Sequence, residues 1–199
     1  MGNTMQETEI KLFVPDLPAV EARLRELGAT LAHARVFEKN VRYDDAGRSL
    51  SAAGRVLRLR QDDDVRLTFK DEGRVMEGGG PYTRFEAELS VSDFATMGII
   101  LGRLGYHPYM IYEKYRTTWA LAGVEVMLDE MPYGHFVEIE GEGSAILAVT
   151  VQLGLGAAPR MTASYGVLFD RVKAYLGLSF ADLTFANFAG INVPLSALT

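Results

Sequence analysis

The sequence predicts an α+β domain whose main element is one antiparallel sheet of about eight strands, covered by helices. Several segments alternate apolar residues with polar or charged ones, as a half-buried strand does. Many of the connections are as short as hairpin loops, such as the three aspartates that join residues 55–61 to residues 65–71. Short connections favour antiparallel neighbours, because parallel strands need a long crossover. Other segments have helical apolar spacing and can cover the sheet.

The predicted elements follow the order β-α-β-β-β-β-α-β-β-β, and further helices come last. Strands are predicted over residues 5–13, 32–44, 55–61, 65–71, 82–91, 109–119, 123–129 and 135–141. Helices are predicted over residues 18–28, 92–105, 143–153 and 163–176. We expect a loop over 44–54, a long mobile turn over 72–81 and an irregular apolar tail from residue 177.

Length and composition limit the classes of protein that this chain can belong to. The 199 residues contain no linker-like segment, so we expect a single domain over 1–199, with helices and tail 143–199 packing on the sheet. There is no cysteine, which excludes disulfides, thiolate catalysis and Cys-ligated zinc. A net charge of −6 disfavours general binding to nucleic acid or to an anionic membrane. No secretory signal or membrane-spanning run is visible, which predicts a cytoplasmic protein.

The alternation places an unusual number of charged side chains on one face of the sheet. The bases on this face are Lys11, Arg58, Arg60, Arg66, Lys70, Arg84, Lys114 and Arg116. The acids are Glu7, Glu9, Glu86, Glu88, Asp129, Glu138 and Glu140. One interpretation is a helix-backed sheet whose charged face meets water. The other is a sheet that closes into a barrel around a charged ligand, since unpaired buried charge is costly.

The residue types favour the second interpretation. Most of the bases are arginines, often in close pairs such as Arg58 and Arg60, and the guanidinium fork suits phosphate oxygens. The acids recur as Glu-x-Glu pairs, and carboxylate oxygens are the ligands that hard divalent cations prefer. The face therefore predicts a polyphosphate bound together with Mg²⁺ or Mn²⁺.

The N-terminal pattern Glu7-x-Glu9-x-Lys11 resembles the ExExK signature of the CYTH superfamily. That superfamily groups class IV adenylyl cyclases, thiamine triphosphatases and inorganic triphosphatases. The likeness continues in order along most of the chain, in the motifs "VLRLR" (56–60), "LTFK" (67–70), "RFEAE" (84–88), "EKYRTTW" (113–119), "VMLDEMPYGHFVEIEGE" (126–142) and "SYGVL" (164–168). This ordered set is much more specific than ExExK alone. It implies a tunnel-like eight-stranded antiparallel barrel, with the charged residues inside and flanking helices outside.

The resemblance also implies roles for the charged residues. The substrate-binding set would be Lys11, Arg58, Arg60, Lys70, Arg84, Lys114 and Arg116. The metal-binding set would be Glu7, Glu9, Asp129, Glu138 and Glu140. Arg66, Glu86 and Glu88 would line the tunnel without an assigned role.

A catalytic pair is implied in the same way. In hydrolases of this family a tyrosine paired with a lysine can help to activate water, and Tyr43 and Lys70 occupy comparable places in this chain. The segment after Lys70 departs from the family, because it lacks the Lys-Gly-Pro found in some cyclase-like members. That departure leaves the assignment as a cyclase open.

Three functions are compatible with these residues. The resemblance ranks first an adenylyl cyclase that converts ATP to cyclic AMP and pyrophosphate. Second is a triphosphatase that hydrolyses thiamine triphosphate or inorganic tripolyphosphate. Third is a non-catalytic sensor of nucleotide or polyphosphate, which the complete acidic set argues against, because phosphate binding alone needs no carboxylates. The expected partner is a small-molecule triphosphate, and monomer and dimer both remain open.

Overall fold

The computed structural model describes residues 6–199, so residue 5 of the first predicted strand lies outside the described residues. The strands are β1 (Gln6–Phe13), β2 (Thr30–Asp44), β3 (Val56–Gln61), β4 (Val65–Lys70), β5 (Arg74–Val75), β6 (Tyr82–Ser90), β7 (His107–Leu121), β8 (Val124–Met131) and β9 (Gly134–Glu140). The α-helices are α1 (Leu17–Glu26), α2 (Ser49–Ala52), α3 (Phe94–Arg103), α4 (Gly143–Gln152) and α5 (Tyr165–Leu176). Single 3₁₀ turns lie at Glu77–Gly79 and Leu195–Ala197. None of the helices among these residues has the length and apolar character needed to cross a bilayer.

Eight of the strands close into a barrel. Their order is β1-β9-β8-β7-β2-β3-β4-β6, and β6 pairs back with β1. Every neighbouring pair in this circuit is antiparallel. The two-residue strand β5 lies outside the circuit and pairs only with β6. The predicted antiparallel eight-stranded barrel with flanking helices is confirmed.

Two short elements were not predicted from the sequence. Helix α2 falls inside the predicted loop 44–54, and β5 with the 3₁₀ turn falls inside the predicted turn 72–81. The first has a local cause in the buried carboxylate of Asp44, which accepts hydrogen bonds from the backbone N–H groups of Leu50 and Ser51. These are N–H groups at the start of α2 that a helix of one turn cannot satisfy itself.

Apolar side chains on the outside of the barrel pack under the helices. One cluster joins α1 and α4 to the outer faces of β1, β8 and β9 and includes Leu12, Val137 and Ile146. A smaller cluster joins α3 to β2 and β3 through Leu101 and Leu59. Since successive residues of a strand point to opposite faces, burying these apolar residues outside sends their charged neighbours into the barrel.

The C-terminal segment packs against one end of the barrel. Helix α5 begins after Ser164, whose hydroxyl accepts a hydrogen bond from the N–H of Val167. Its apolar face joins an aromatic cluster with Phe136 of β9. Further along, Leu183 exchanges backbone hydrogen bonds with β7, donating to Ile111 and accepting from Glu113. The segment thereby continues the sheet along a part of β7 that β8 does not cover.

Candidate tunnel site

The barrel encloses a cavity of about 1290 Å³ that is lined by charges of both signs. The predicted residues that line it are Glu7, Glu9, Lys11, Arg58, Arg60, Arg66, Lys70, Arg84, Glu86, Glu88, Lys114, Arg116, Glu138 and Glu140. Asp129 and Tyr43 are not among its lining residues. The charged face is therefore the inside of the barrel and does not meet bulk water as an open sheet would.

On the β1–β6 side of the tunnel, two bases hold Glu7. Its carboxylate accepts hydrogen bonds from Lys70 (2.8 Å) and Arg84 (2.6 Å). Glu7 and Arg84 are direct cross-strand partners, and so are Lys70 and Glu86, so strand register places the groups side by side. Burial alone would raise the pKa of Glu7, but Lys70 and Arg84 outweigh it and lower the pKa to about 2. Glu7 is thus a firmly ionised carboxylate.

On the adjoining β1–β9 side, Glu138 is held between bases of two strands. It lies 3.2 Å from Lys11 Nζ and also contacts Arg116. Burial alone would raise the pKa of Glu138, but Lys11 and Arg116 hold it well below its ordinary value. The Lys11 ammonium also sits 4.4 Å from the centre of the Tyr165 ring, so α5 contributes an aromatic wall beside it.

Asp129 lies behind the bases of β7. Its carboxylate accepts hydrogen bonds from Lys114 (3.0 Å), Arg116 (2.6 Å) and the Tyr165 hydroxyl (2.8 Å). It is fully buried and has no surface on the cavity. In this arrangement Asp129 holds the two bases of β7 in position, and its role as a metal ligand stays a prediction.

The arginines of β3 form a third group of contacts. Arg58 donates hydrogen bonds to the Tyr112 hydroxyl and to Thr68, each at 3.1 Å. Arg60 lies 3.7 Å from Glu38 and 3.6 Å from Glu88. Both arginines are at least nine-tenths buried, and the Nε atom of each has no hydrogen-bond partner among the described residues. Nε of Arg60 lies 3.3 Å from the Asp62 carboxylate, and both side chains line the cavity, so a ligand in the tunnel would meet their guanidinium groups.

Two acidic side chains, Glu9 and Glu140, lie where burial and neighbouring carboxylates disfavour the ionised form. Glu9 and Glu140 are direct cross-strand partners of β1 and β9. Burial and the carboxylates of Glu7, Glu86 and Glu9 raise the pKa of Glu140 to about 8. Burial and Glu138 likewise raise the pKa of Glu9. A divalent cation between these carboxylates would offset both the burial of their charges and the repulsion between them. This donor set therefore fits a hard cation.

No finished metal site is present, however, among residues 6–199: no group of three acidic or histidine side chains has the spacing of one. Several carboxylates are instead engaged by bases, such as Glu7 by Lys70 and Glu138 by Lys11. The metal-binding set would have to exchange these partners before it could hold an ion.

The structure does not bring Tyr43 to Lys70. Tyr43 points out of the barrel and packs with Val41 and Leu101 beneath α3, where a β-carbon on Gly98 would lie 3.1 Å from its hydroxyl. Burial raises the pKa of Tyr43, and no ammonium is among the causes. The predicted catalytic pair is therefore not formed, because Tyr43 has the strand parity of the outer face.

The tunnel residues that sequence reasoning missed include Glu38, Arg42 and Tyr112. Glu38 is 2% exposed and lies 3.4 Å from Lys114, its cross-strand partner. Burial alone would raise the pKa of the Tyr112 phenol, but Arg58 and Lys114 outweigh it and lower the pKa. The signal was available in "FEKNVRY" (37–43), where the alternation that places Val41 outside places Glu38 and Arg42 inside.

A closed barrel whose interior carries matched bases and carboxylates defines a class of protein that takes a phosphate-rich ligand into a tunnel. The CYTH domain model matches residues 5–151, and the chain belongs to this family. Proteins of the family bind triphosphate substrates and generally depend on a metal. None of the curated protein sequences matches this chain closely enough to serve as a named relative.

Solved structures with the same fold support the assignment. A proposed adenylate cyclase from Vibrio parahaemolyticus is 18% identical with a TM-score of 0.73, over 84% of this chain and 99% of that one. A protein from Pyrococcus horikoshii is 24% identical with a TM-score of 0.67, over 83% and 99%. A proposed adenylyl cyclase from Hippeastrum, described as having dominant triphosphatase activity, is 20% identical with a TM-score of 0.60, over 82% and 95%. At these identities the likeness shows the fold.

Proposed function

We propose that this protein is a metal-dependent enzyme that cleaves a phosphorus–oxygen bond of a triphosphate held in the tunnel. The observation that carries the proposal is the pairing of tunnel bases with tunnel carboxylates, as in Lys70 with Glu7 and Lys11 with Glu138. Buried ion pairs gain little stability over an apolar core, because desolvating the charges offsets their attraction. An interior built of them is better explained by a ligand that needs both signs.

A triphosphate bound with its cation would separate the tunnel bases from the tunnel carboxylates, because each set would bind a different part of the ligand. Phosphate oxygens would take the donors of Arg58, Arg60 and Lys114, and the carboxylates released from these and the other bases would face the cation. Glu9, Glu138 and Glu140 are the residues that would hold it. When bound, Mg²⁺ or Mn²⁺ would neutralise phosphate charge and orient the reacting oxygens. The bases hold the phosphate chain in position. Positioning and charge stabilisation are the main contributions of a protein to phosphoryl transfer.

Cyclisation of ATP to cyclic AMP and pyrophosphate is one candidate reaction. The cavity of about 1290 Å³ exceeds the range of about 300–1,000 Å³ typical of small-molecule pockets, so it has room for a nucleoside beside the triphosphate. The Tyr82 ring at its lining could contact a base, whereas the Tyr109 ring is already covered by the Arg48 guanidinium, 3.4 Å from its centre.

Hydrolysis of thiamine triphosphate or inorganic tripolyphosphate is the other candidate. It is favoured by the charge that continues to the ends of the cavity, where Arg48 and Arg55 lie at one end and Asp62 and Asp64 lie at the other. The tunnel phenol nearest to the bases is Tyr112, whose lowered pKa would help it to accept a proton from a nucleophile.

The deciding experiment is to incubate the purified protein with ATP, thiamine triphosphate or inorganic tripolyphosphate, with Mg²⁺ or Mn²⁺, and to separate the products. Cyclic AMP with pyrophosphate would establish the cyclase. Orthophosphate without cyclic nucleotide would establish the hydrolase. Binding of the triphosphates without turnover under any of these conditions would refute an enzyme and leave a sensor, and no binding at all would refute the tunnel assignment.

A further inference from the structure

We propose that the tunnel contains an additional anion subsite at Arg42, and that its substrate class is linear inorganic polyphosphate of at least four phosphates. The proposal rests on the proposed function, because the subsite continues the row of bases assigned to the triphosphate. It adds a residue outside that set and a fourth phosphate for it to bind.

The side chain of Arg42 points into the tunnel from β2, directly across from Arg58 of β3. Like charges opposite each other on neighbouring strands destabilise a sheet. The Nε atom of Arg42 is buried and has no hydrogen-bond partner among the described residues. Arg58 is nine-tenths buried and its Nε atom is likewise unpartnered. Both side chains line the cavity, so two adjacent guanidinium groups face the same space.

Arg42 differs from the other bases of the tunnel. Within residues 6–199, it is the one lysine or arginine lining the cavity that has no carboxylate oxygen within 4.0 Å. Its neighbours at this end are neutralised, since Arg55 lies 2.8 Å from Asp71 and Arg48 lies 3.7 Å from Asp44. When a ligand binds, every other base of the lining has to release a protein carboxylate. Arg42 has no such carboxylate to release.

The first turn of α5 adds further positive potential at the same point. A β-carbon on Gly166 would lie 3.4 Å from Nη1 of Arg42, so the guanidinium is against the helix start. The N–H groups of a first helical turn have no partners within the helix and attract anions. A guanidinium pressed against that end is repelled by it, and an anion between them would remove the repulsion.

The position of Arg42 indicates which anion would bind. Arg60 and Arg58 follow each other along β3, and Arg42 lies directly across from Arg58 on β2, with its guanidinium against the start of α5. A phosphate chain that lies along Arg60 and Arg58 therefore meets Arg42 next. A neutral base or a thiazolium ring at this point would leave the guanidinium unpaired, whereas a further phosphate would pair with it.

The test is calorimetric binding of inorganic tripolyphosphate and tetrapolyphosphate, without metal, to the wild type and to Arg42→Gln. Arg103→Gln is the matched control, because Arg103 is exposed on α3 and does not line the cavity. We expect Arg42→Gln to weaken tetrapolyphosphate binding by about 10- to 100-fold, the effect of one charge-assisted contact, and tripolyphosphate binding by less than about threefold. Arg42→Lys should retain part of the preference for the longer chain.

The thermal midpoint of the ligand-free Arg42→Gln protein separates a binding role from a structural one. It should equal or exceed that of the wild type, because the substitution removes the repulsion from Arg58; a lower midpoint would mark Arg42 as a structural residue and overturn the proposal. Equal loss of affinity for both chains would place Arg42 in the triphosphate site and also overturn it. If the wild type binds tripolyphosphate and Arg42→Gln behaves like Arg103→Gln, only the subsite fails. If the wild type binds neither chain, the proposed function fails with it.

Discussion

Replacing Glu38 by Gln should destabilise the ligand-free protein although no atom is removed. Glu38 is 2% exposed and faces three bases, Lys114 at 3.4 Å, Arg60 at 3.7 Å and Arg116 at 3.9 Å. Glutamine has the same shape but no charge, so the three cations would lose the carboxylate between them. Removing one partner from a buried ion pair is costly because the remaining charge stays buried.

The magnitude follows from the pKa of Glu38. Burial alone would raise that pKa, but Lys114, Arg116 and Arg60 together lower it from an ordinary value of 4.5 to about 2. The lowering corresponds to about 3 kcal/mol of stability for the ionised form. Because the pKa of the folded state is the lower one, this contribution is complete above pH 4.5 and is lost as the pH falls toward about 2.

The assay is chemical denaturation of the wild type and Glu38→Gln across pH 7 to 3, without ligand. We expect Glu38→Gln to be less stable by about 3 kcal/mol at pH 7, with a difference that narrows below pH 4.5. The matched control is Glu26→Gln on α1, whose exposed pair with Arg23 should contribute no more than about 0.5 kcal/mol. A Glu38→Gln protein as stable as the Glu26→Gln protein at pH 7 would refute the charge-network reasoning.

Three further predictions concern activity and binding. Chelation with EDTA should abolish turnover, and Mg²⁺ or Mn²⁺ should restore it; full turnover in a rigorously metal-free assay would contradict the role of the carboxylates. Lys114→Ala or Arg58→Ala should weaken tripolyphosphate binding by about 1.5–3 kcal/mol in calorimetry, whereas the control Arg103→Ala should match the wild type, and unchanged affinity in both tunnel variants would rule out their contact with phosphate. Tyr43→Phe should keep kcat within about threefold because Tyr43 faces α3, whereas Tyr112→Phe should lower it by about 10²-fold; the reverse order would restore the pair with Lys70.

The sequence alone predicted the barrel wall and the charged residues that line its centre, but not the charged residues of β2 or those near the ends of the cavity. The reason is physical: the charged residues of β1 and β3 share one strand face, and the other face carries the buried Ile10 and Leu12 in β1 and Leu57 and Leu59 in β3, so burying that face outside decides where the charged face points. Glu7, Arg58 and Lys70 are placed in the tunnel by that rule alone. The extra elements around residues 44–54 and 72–81 depend on local hydrogen bonds that carry no periodic signal.

The position of Asp129 relative to the cavity depends on contacts between distant parts of the chain, which the sequence pattern does not reveal. Asp129 has the right parity, but Lys114, Arg116 and Tyr165 converge on it and shield it from the cavity. The pairing of Tyr43 with Lys70 rested on the family resemblance alone, whereas the parity of Tyr43 along β2 places it outside the barrel with Val41 and Leu101. Parity along β2 also identifies Glu38 as a tunnel residue, because it lies three residues before the outward-facing Val41.

The response of Glu38→Gln to ligand follows from the same contacts and has the opposite sign. In the ligand-free tunnel, the carboxylate of Glu38 occupies donors of Arg60 and Lys114 that phosphate would use. Phosphate binding must displace the Glu38 carboxylate, and the free energy needed to break these ion pairs lowers the affinity of the bases for phosphate. Glutamine does not compete as strongly, and metal-free tripolyphosphate should bind the variant about tenfold more tightly, which is about 1.4 kcal/mol. Saturating ligand should therefore recover about half of the stability lost by the substitution, because ligand that binds only the folded state adds its binding free energy to stability. Weaker binding by the variant would mean that Glu38 orients the bases for phosphate and does not compete with it.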